Sequence, residues 1–210
     1  MQTKIRGIRV GTDTELDIGA SRDGSLKVAQ YLPPYAMLVA TDCVWSCITT
    51  AAVAGLIARP TTTALGMLYN GEAPGGKSYI ILRAFAQQLV STTVIESFGI
   101  WLCVEDIGDT APGVDIATSA YASHSGVANY GGNAQFATDE AVAGVGWFPW
   151  GEASRTDVIG VLGGSQVMAH VNGMIVVPPT ASVAIHVVGA SVNTDFCVGF
   201  TWAEVLLDLG

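Results

Sequence analysis

Residues 71 to 78 of the chain read Gly-Glu-Ala-Pro-Gly-Gly-Lys-Ser and match the phosphate-binding pattern G-x-x-x-x-G-K-[ST]. In that pattern the glycine-rich backbone surrounds phosphate oxygens, the lysine reaches the terminal phosphates and the hydroxyl holds Mg²⁺. Lys77 and Ser78 would have those roles here. The chemistry requires a β-strand before the loop and a helix after it, with the helix N-terminus facing the phosphates. The flanking segments therefore decide what the match means.

The flanks of residues 71–78 favour strands on both sides. The following segment begins Tyr79-Ile80-Ile81 and runs into Val90-Ser-Thr-Thr-Val-Ile, which is rich in β-branched residues and poor in helix formers. The preceding segment, 65–70, is short and suits one arm of a hairpin. We therefore predict a tight hairpin turn at 71–76 with Lys77 exposed. A P-loop nucleotide-binding protein is the less favoured alternative, and nucleotide affinity abolished by Lys77→Ala would support it.

Other groups with catalytic potential have simpler structural explanations. Ser123, His124 and Ser125 place hydroxyls beside an imidazole, but neighbours in a strand point to opposite faces. A triad also needs a third group that sequence spacing does not supply. The acid pairs 105–106 and 139–140 are typical of solvated turns. We predict no enzymatic activity and no catalytic residues.

The cysteines and histidines do not predict a metal site. None of the three histidines has ligand-like spacing, and the cysteines lie in apolar surroundings typical of small buried side chains. Unpaired cysteines of this kind indicate a reducing compartment such as a cytoplasm. We predict no metal and no cofactor; the residues concerned are Cys43, Cys47, Cys103, Cys197, His124, His170 and His186.

The composition indicates an assembling protein. Charged residues make up 13 % of the 210 residues and apolar residues 50 %, with only three lysines. Because a soluble monomer normally needs about a quarter of its residues charged, we expect other subunits to cover part of the surface. The alternative is a monomer with an exterior of Thr, Ser, Asn and Gly. The net charge of −9 disfavours a nucleic-acid partner, which would require a basic surface.

Two segments differ from the rest of the chain. Residues 1–34 are polar, carry much of the charge and end at Pro33-Pro34, so we predict an N-terminal arm, followed by one domain over 35–210. Residues 35–58 are apolar and long enough to span a membrane. They contain Asp42, Ser46 and three threonines, however, and an aspartate near a helix centre costs about 2.5–3.5 kcal/mol on insertion. We predict no membrane association.

The C-terminal third predicts antiparallel β-structure. Asn172-Gly173 lies between the apolar runs 167–171 and 174–177, a pattern typical of a two-residue hairpin that Pro178-Pro179 would terminate. Alternation then recurs in 182–187. It recurs again at Phe196, Val198, Phe200 and Trp202, with a period of two and not 3.6.

Aromatic side chains in the glycine-rich middle of the chain are candidate contact residues. Trp147, Phe148 and Trp150 could plug a pocket on a partner, stack on a sugar, or simply cap one end of a sandwich. We select them as interface candidates together with Tyr121 and Tyr130 from the preceding loop. In the arm we add Leu16 and Ile18, the apolar residues that could gain order against a neighbour.

The stretch 68–86, Leu-Tyr-Asn-Gly-Glu-Ala-Pro-Gly-Gly-Lys-Ser-Tyr-Ile-Ile-Leu-Arg-Ala-Phe-Ala, resembles a strand–turn–strand of tailed-phage structural proteins with a jelly-roll or TNF-like β-sandwich. Segments 177–187 and 198–205 are similar to the last strands of that sandwich. The resemblance implies a bacteriophage capsid decoration (cement) protein or a related virion protein, commonly trimeric. It transfers no catalytic or binding residue.

These observations predict an all-β chain: an antiparallel two-sheet jelly-roll sandwich preceded by an extended arm. The expected function is structural, in the virion after synthesis in the host cytoplasm. The partners would be the chain itself, as a homotrimer, and the major capsid protein or another virion protein. The alternative with the same fold is a receptor- or glycan-binding virion protein that uses Trp147 and Trp150.

Overall fold

The structure is a computed structural model that describes residues 6–8, 15–17, 35–90, 96–105, 120–123, 125–126, 130–142, 146–155 and 164–207. The chain divides into two compact units, Met1–Met37 and Leu38–Gly210. In the first unit two short strands, β1 (Arg6–Ile8) and β2 (Glu15–Asp17), pair antiparallel. The predicted arm boundary at residue 34 stays a prediction.

The second unit is almost entirely β-structure. One short helix, α1 (Ala36–Ala40), includes its first three residues. The strands are β3 (Val44–Ile48), β4 (Val53–Ala54), β5 (Thr63–Ala64), β6 (Gly66–Asn70), β7 (Ser78–Val90), β8 (Ser97–Glu105), β9 (Tyr121–Ala122), β10 (Ala134–Ala137), β11 (Glu140–Ala141), β12 (Phe148–Arg155), β13 (Gln166–Val177), β14 (Ser182–Gly189) and β15 (Asp195–Val205).

Most of the strands form two antiparallel sheets, as the sequence predicts, and β5 and β11 pair as a separate two-stranded sheet. One sheet has the order β10-β6-β14-β8-β12, and the other has the order β13-β7-β15-β3-β9 with β4 paired to β15. Neighbours in a sheet are distant in sequence: the first long strand, β3, lies beside the last, β15. From β6 to β10 and from β12 to β15, successive strands alternate between the two sheets, which gives the jelly-roll sandwich its connectivity. The two sheets are called the five-stranded and the six-stranded sheet below.

The core between the sheets follows the period-two pattern of β15. The side chains of Phe196, Val198, Phe200 and Trp202 all point inward and are buried. Three of these rings each meet a ring from another part of the chain, with centroids 4.6, 6.2 and 6.1 Å apart; the pairs are Phe196–Phe98, Phe200–Phe136 and Trp202–Tyr130. Offset and edge-on ring pairs of this kind stabilise beyond the area that they bury.

Each sheet also carries a small apolar cluster on its outer side. On the six-stranded sheet, Leu38 and Val39 pack over Val44, Leu82 and Ala203. On the five-stranded sheet, Trp147 packs in a second cluster, together with Ala64, Met67, Cys103, Val142 and Ala184. The Trp147 indole N–H donates to the carbonyl of Thr61 at 3.0 Å, so its one polar atom is satisfied. Side chains from α1 and from the segment around Trp147 therefore cover part of the outer side of each sheet.

The Asn172–Gly173 pair forms a bulge, so the predicted hairpin is wrong. Both residues have positive φ, 52° and 82°, as a two-residue turn would require. The strand nevertheless continues as β13, and the register against β7 shifts between His170 and Ile175. The strand ends at Val177, before the two prolines, as predicted. Local turn chemistry thus produces a kink in an edge strand because long-range pairing with β7 holds both sides in line.

The apolar segment 35–58 contains one helix of five residues and two strands, β3 and β4. Within the part of the chain that the structure describes, no helix is long and apolar enough to cross a membrane.

Candidate functional site

The Gly71–Ser78 match lies in a loop that crosses between the two sheets. It follows β6 of the five-stranded sheet and leads into β7 of the six-stranded sheet, so it is not the predicted hairpin turn. A thirteen-residue strand follows it where a phosphate loop needs a helix. Ser78, the residue that would hold Mg²⁺, is buried. The loop therefore lacks the geometry that makes the motif bind phosphate.

The buried side chain of Asn70 ties this loop to the rest of the sandwich. Its amide donates to the carbonyls of Lys77 at 2.9 Å and Val177 at 3.0 Å, and its side-chain oxygen accepts from the Glu72 N–H at 3.1 Å. Its own backbone exchanges hydrogen bonds with Thr180 and Ala181. One asparagine thus satisfies the backbone of two loops that would otherwise be left unpaired.

The lysine of the loop pairs with a buried carboxylate. Lys77 Nζ lies 3.3 Å from Glu204 Oε2; the lysine side chain is 51 % exposed and the glutamate 3 %. Glu204 belongs to β15, 127 residues away in sequence. Its other oxygen, Oε1, accepts hydrogen bonds from the Tyr130 hydroxyl and from the Trp202 indole N–H, the latter at 3.2 Å. Charged and neutral donors together satisfy a carboxylate that burial would otherwise strongly disfavour.

The same arrangement extends to two tyrosines. The Tyr130 hydroxyl accepts from the Ala134 N–H at 3.0 Å and lies 3.4 Å from the Tyr79 hydroxyl. Burial raises the pKa of Tyr79 and of Tyr130, and the nearby charge of Glu204 raises both further. Both hydroxyls therefore keep their protons and act as donors. We call Lys77, Tyr79, Tyr130, Trp202 and Glu204 the Glu204 cluster.

The Glu204 cluster is an anchor in chemical terms. The Glu204 carboxylate accepts from three donors, Lys77, Tyr130 and Trp202. The hydroxyls of Tyr79 and Tyr130 make hydrogen bonds within the same cluster. A general acid or base must instead lie within hydrogen-bond reach of a substrate. What the arrangement does is fix the loop 71–77 and residue 130 to the last strand at one end of the sandwich.

The outward side of the six-stranded sheet, which we call the outer face, is the second feature of note. The strand register places side chains in rows across the strands. One row is apolar and contains Met168, Phe85, Gly199 and Ile48. The Phe85 ring lies against Gly199, where a β-carbon would collide with that ring and with the Cys47 carbonyl. Ile48 is 42 % exposed. The row is thus a flat, partly exposed apolar strip.

The adjoining row of the outer face is polar. It runs from His170 and Arg83 through Thr201 and Ser46 to Tyr121. The hydroxyls of Thr201 and Ser46 lie 2.9 Å apart. Arg83, the one charged side chain in the two rows, forms no hydrogen bond or ion pair with another described residue. These two rows therefore contain one cation, Arg83, and no acidic side chain.

The predicted contact residues are placed differently from one another. Trp147 is 1 % exposed and Tyr130 is a buried member of the Glu204 cluster; their contact with a partner stays a prediction. Trp150 is partly buried against the main core. Phe148 and Tyr121 are 66 % and 50 % exposed. The segment 148–150, expected in a loop, begins the edge strand β12.

The two arm candidates, Leu16 and Ile18, belong to the first unit. The backbone of Leu16 lies in β2, where it pairs with Gly7. Ile18 lies outside the described residues, as does His124 of the Ser-His-Ser sequence. Sequence reasoning missed Arg83, Phe85 and Glu204; the alternation along β7 and β15 was the available signal, but only cross-strand register aligns these residues.

The cysteines are unpaired, and three of them, Cys47, Cys103 and Cys197, are buried. Burial raises the pKa of Cys47 and of Cys103 to about 12, so neither forms the thiolate that nucleophilic or redox chemistry requires at neutral pH. The Cys103 thiol donates to Glu105 Oε1 at 3.3 Å. Among the residues that the structure describes, no group of three or more Cys, His, Asp or Glu could hold a metal ion.

A buried histidine on the outer side of the five-stranded sheet is also structural. His186 Nδ1 accepts from the Val187 N–H at 2.9 Å, and its ring meets the Trp147 ring edge-on at 6.3 Å. Burial lowers its pKa, so the imidazole is neutral at pH 7. The side chain fills space under Trp147 and is not available as a general base.

A small groove lies where β3 and β10 flank one side of the sandwich. Its volume is about 200 Å³, and its lining includes Ile48, Thr49, Phe136 and Glu140. Sites for drug-sized ligands usually measure about 300–1,000 Å³. The groove is therefore smaller than a typical site for a drug-sized ligand.

Comparisons with protein-family models, with curated proteins and with solved structures find no match to this chain.

Proposed function

We propose that the chain is a non-enzymatic structural protein that self-associates through the outer face of its six-stranded sheet and decorates a virus particle as a homotrimer. The observation that carries the self-association is the apolar row of that face, with Phe85 and Ile48 partly exposed on either side of Gly199. Contiguous apolar surface that water reaches marks interaction sites on soluble proteins.

The distribution of charge supports self-association. The chain carries a net charge of −9, yet no acidic side chain occurs in the two rows of the outer face. Two copies of an acidic protein repel one another at most surfaces. They approach most easily where that charge is absent. The outer face is therefore well suited to a second copy of the same chain.

The setting on a virion rests on the resemblance of residues 68–86 to phage structural proteins, since a jelly roll by itself serves many functions. The Glu204 cluster suits this role because it makes one end of the sandwich rigid. A decoration protein acts by burying apolar surface at subunit contacts, with no chemical step. Cosedimentation with particles that lack the protein tests this setting: we expect stoichiometric binding and a higher temperature of particle breakdown.

A pair of variants tests the self-association. Light scattering should give a mass of about 65 kDa for the wild type, three times that of the 21.7 kDa chain. Phe85→Glu should place a charge in the apolar row and give 21.7 kDa species. Phe148→Glu, a matched change at an exposed ring of the other sheet, should leave the mass unchanged. A wild type that remains a single chain at high micromolar concentration would contradict the proposal.

A glycan-binding virion protein is the second candidate. Phe148 and the adjacent Pro149 are exposed at the edge of the five-stranded sheet and offer one ring for stacking on a sugar. Trp147 does not contribute to such a site because it is buried. Loss of binding on a glycan array in Phe148→Ala would support this function, whereas a wild type that binds no glycan would remove it.

A further inference from the structure

We propose that the outer face has two complementary halves, and that Arg83 of one copy packs against Tyr121 of the next. This inference rests on the self-association proposed above and specifies how two copies meet. The polar row is asymmetric: the guanidinium of Arg83 and the imidazole of His170 lie on β7 and β13, while Ser46 and Tyr121 lie on β3 and β9. The central strand β15 separates the two halves.

Arg83 and Tyr121 lie apart within one copy. β7 and β9 are separated by three strand spacings of about 4.8 Å each, or roughly 14 Å, and side chains stand nearly perpendicular to a sheet. Tyr121 is half exposed, and Arg83 is exposed with no polar partner among the described residues. Both groups are therefore available to another molecule.

Covering the outer face creates a requirement at Arg83. A guanidinium that is moved out of water without a partner is strongly disfavoured, so the covering surface must offer acceptors or an aromatic face. The other half of the same outer face offers both, in the ring and hydroxyl of Tyr121 and the hydroxyl of Ser46. Arginine over a tyrosine ring is a favourable cation–π contact, and the contact strengthens when water is excluded.

Rotational symmetry brings these unlike halves together. A rotation axis that runs along the strands places the β7 side of one copy against the β3 side of the next, in a dimer or in a trimer. The apolar row then matches with Phe85 of one copy facing Ile48 of its neighbour. In the polar row Arg83 faces Ser46, and it reaches Tyr121 one strand spacing, about 4.8 Å, to the side. The polar and apolar rows thus specify one relative orientation of the copies.

A double-mutant cycle on the dissociation constant of the assembly tests the contact. We expect Arg83→Ala and Tyr121→Ala each to raise the dissociation constant about tenfold, and the double variant to add little beyond either single change. Arg155→Ala removes an exposed arginine from β12 of the other sheet and should leave the constant unchanged. Circular dichroism of each variant verifies folding.

A charge exchange gives the decisive result. Arg83→Glu should dissociate the assembly, and adding Tyr121→Arg should restore it by pairing the new charges between copies. If the wild type assembles but Arg83→Glu still assembles, or if the second change restores nothing, the inference is overturned while self-association stands. If the wild type is a single chain, both the inference and the proposed function fail.

Discussion

Removing the charge of Lys77 measures how much the ion pair with Glu204 contributes to stability. Lys77→Met keeps an aliphatic stem and removes the cation 3.3 Å from the carboxylate. Breaking a buried pair costs about 3–5 kcal/mol, whereas an exposed pair is worth at most about 1 kcal/mol. Lys77 is half exposed, and Glu204 retains two hydrogen bonds, from Tyr130 and Trp202. We therefore expect the free energy of unfolding to fall by about 1–2 kcal/mol.

Combining this change with Glu204→Gln isolates the interaction itself. The glutamine oxygen can still accept from Tyr130 and Trp202, but its amide would face the Lys77 ammonium, donor against donor. Glu204→Gln alone should cost about 1–3 kcal/mol. The double variant should lose about 1 kcal/mol less than the sum of the two single losses, because neither charge is then left unpaired.

Urea denaturation followed by tryptophan fluorescence provides the assay, with Arg155→Met as the matched control at an exposed cation on β12. The thermal midpoint of Lys77→Met should fall by about 2–8 °C for a unit of this size. A loss below about 0.5 kcal/mol, the usual range for surface substitutions, would refute the anchoring role of Lys77. Additive losses in the double variant would show that the two side chains do not interact in solution.

The remaining predictions concern burial. Because burial raises the pKa of Tyr79 and Tyr130, the stability that they contribute is present below about pH 10 and lost as the pH rises further, and ultraviolet titration should show both ionising only on unfolding. Gly199→Val should displace Phe85 and lower stability by about 3 kcal/mol or more, as measured by urea denaturation. Trp147→Ala should cost about 3–5 kcal/mol, and a loss under 1 kcal/mol would contradict its burial.

The sequence predicts the fold class well because β-strand alternation is a local signal. Phe196, Phe200 and Trp202 lie at positions with a period of two, and all three point from the central strand β15 into the core between the sheets. The pair Asn172-Gly173 shows the limit of local reasoning. Its backbone adopts the positive φ values that a hairpin needs, yet pairing with β7 on both sides makes it a bulge. Tertiary pairing decided what the local geometry became.

The Glu204 cluster could not be predicted from local alternation. Lys77 attracts attention as part of a phosphate-binding pattern, but its partner Glu204 is 127 residues away and appears in sequence as one acid in an apolar strand. The glycine-rich segment around Tyr130 predicts a contact residue, whereas the structure buries this side chain with its hydroxyl on that carboxylate. Such contacts depend on which strands become neighbours across the sandwich.

Sedimentation equilibrium of the intact protein tests whether copies of this chain associate through the outer face, as we propose. Between about 1 and 100 µM, a range that suits typical subunit affinities, we predict a species of three 21.7 kDa chains that Phe85→Glu reduces to one. A wild type that sediments as a single chain at every concentration, or an assembly that Phe85→Glu leaves intact, would contradict self-association through the outer face.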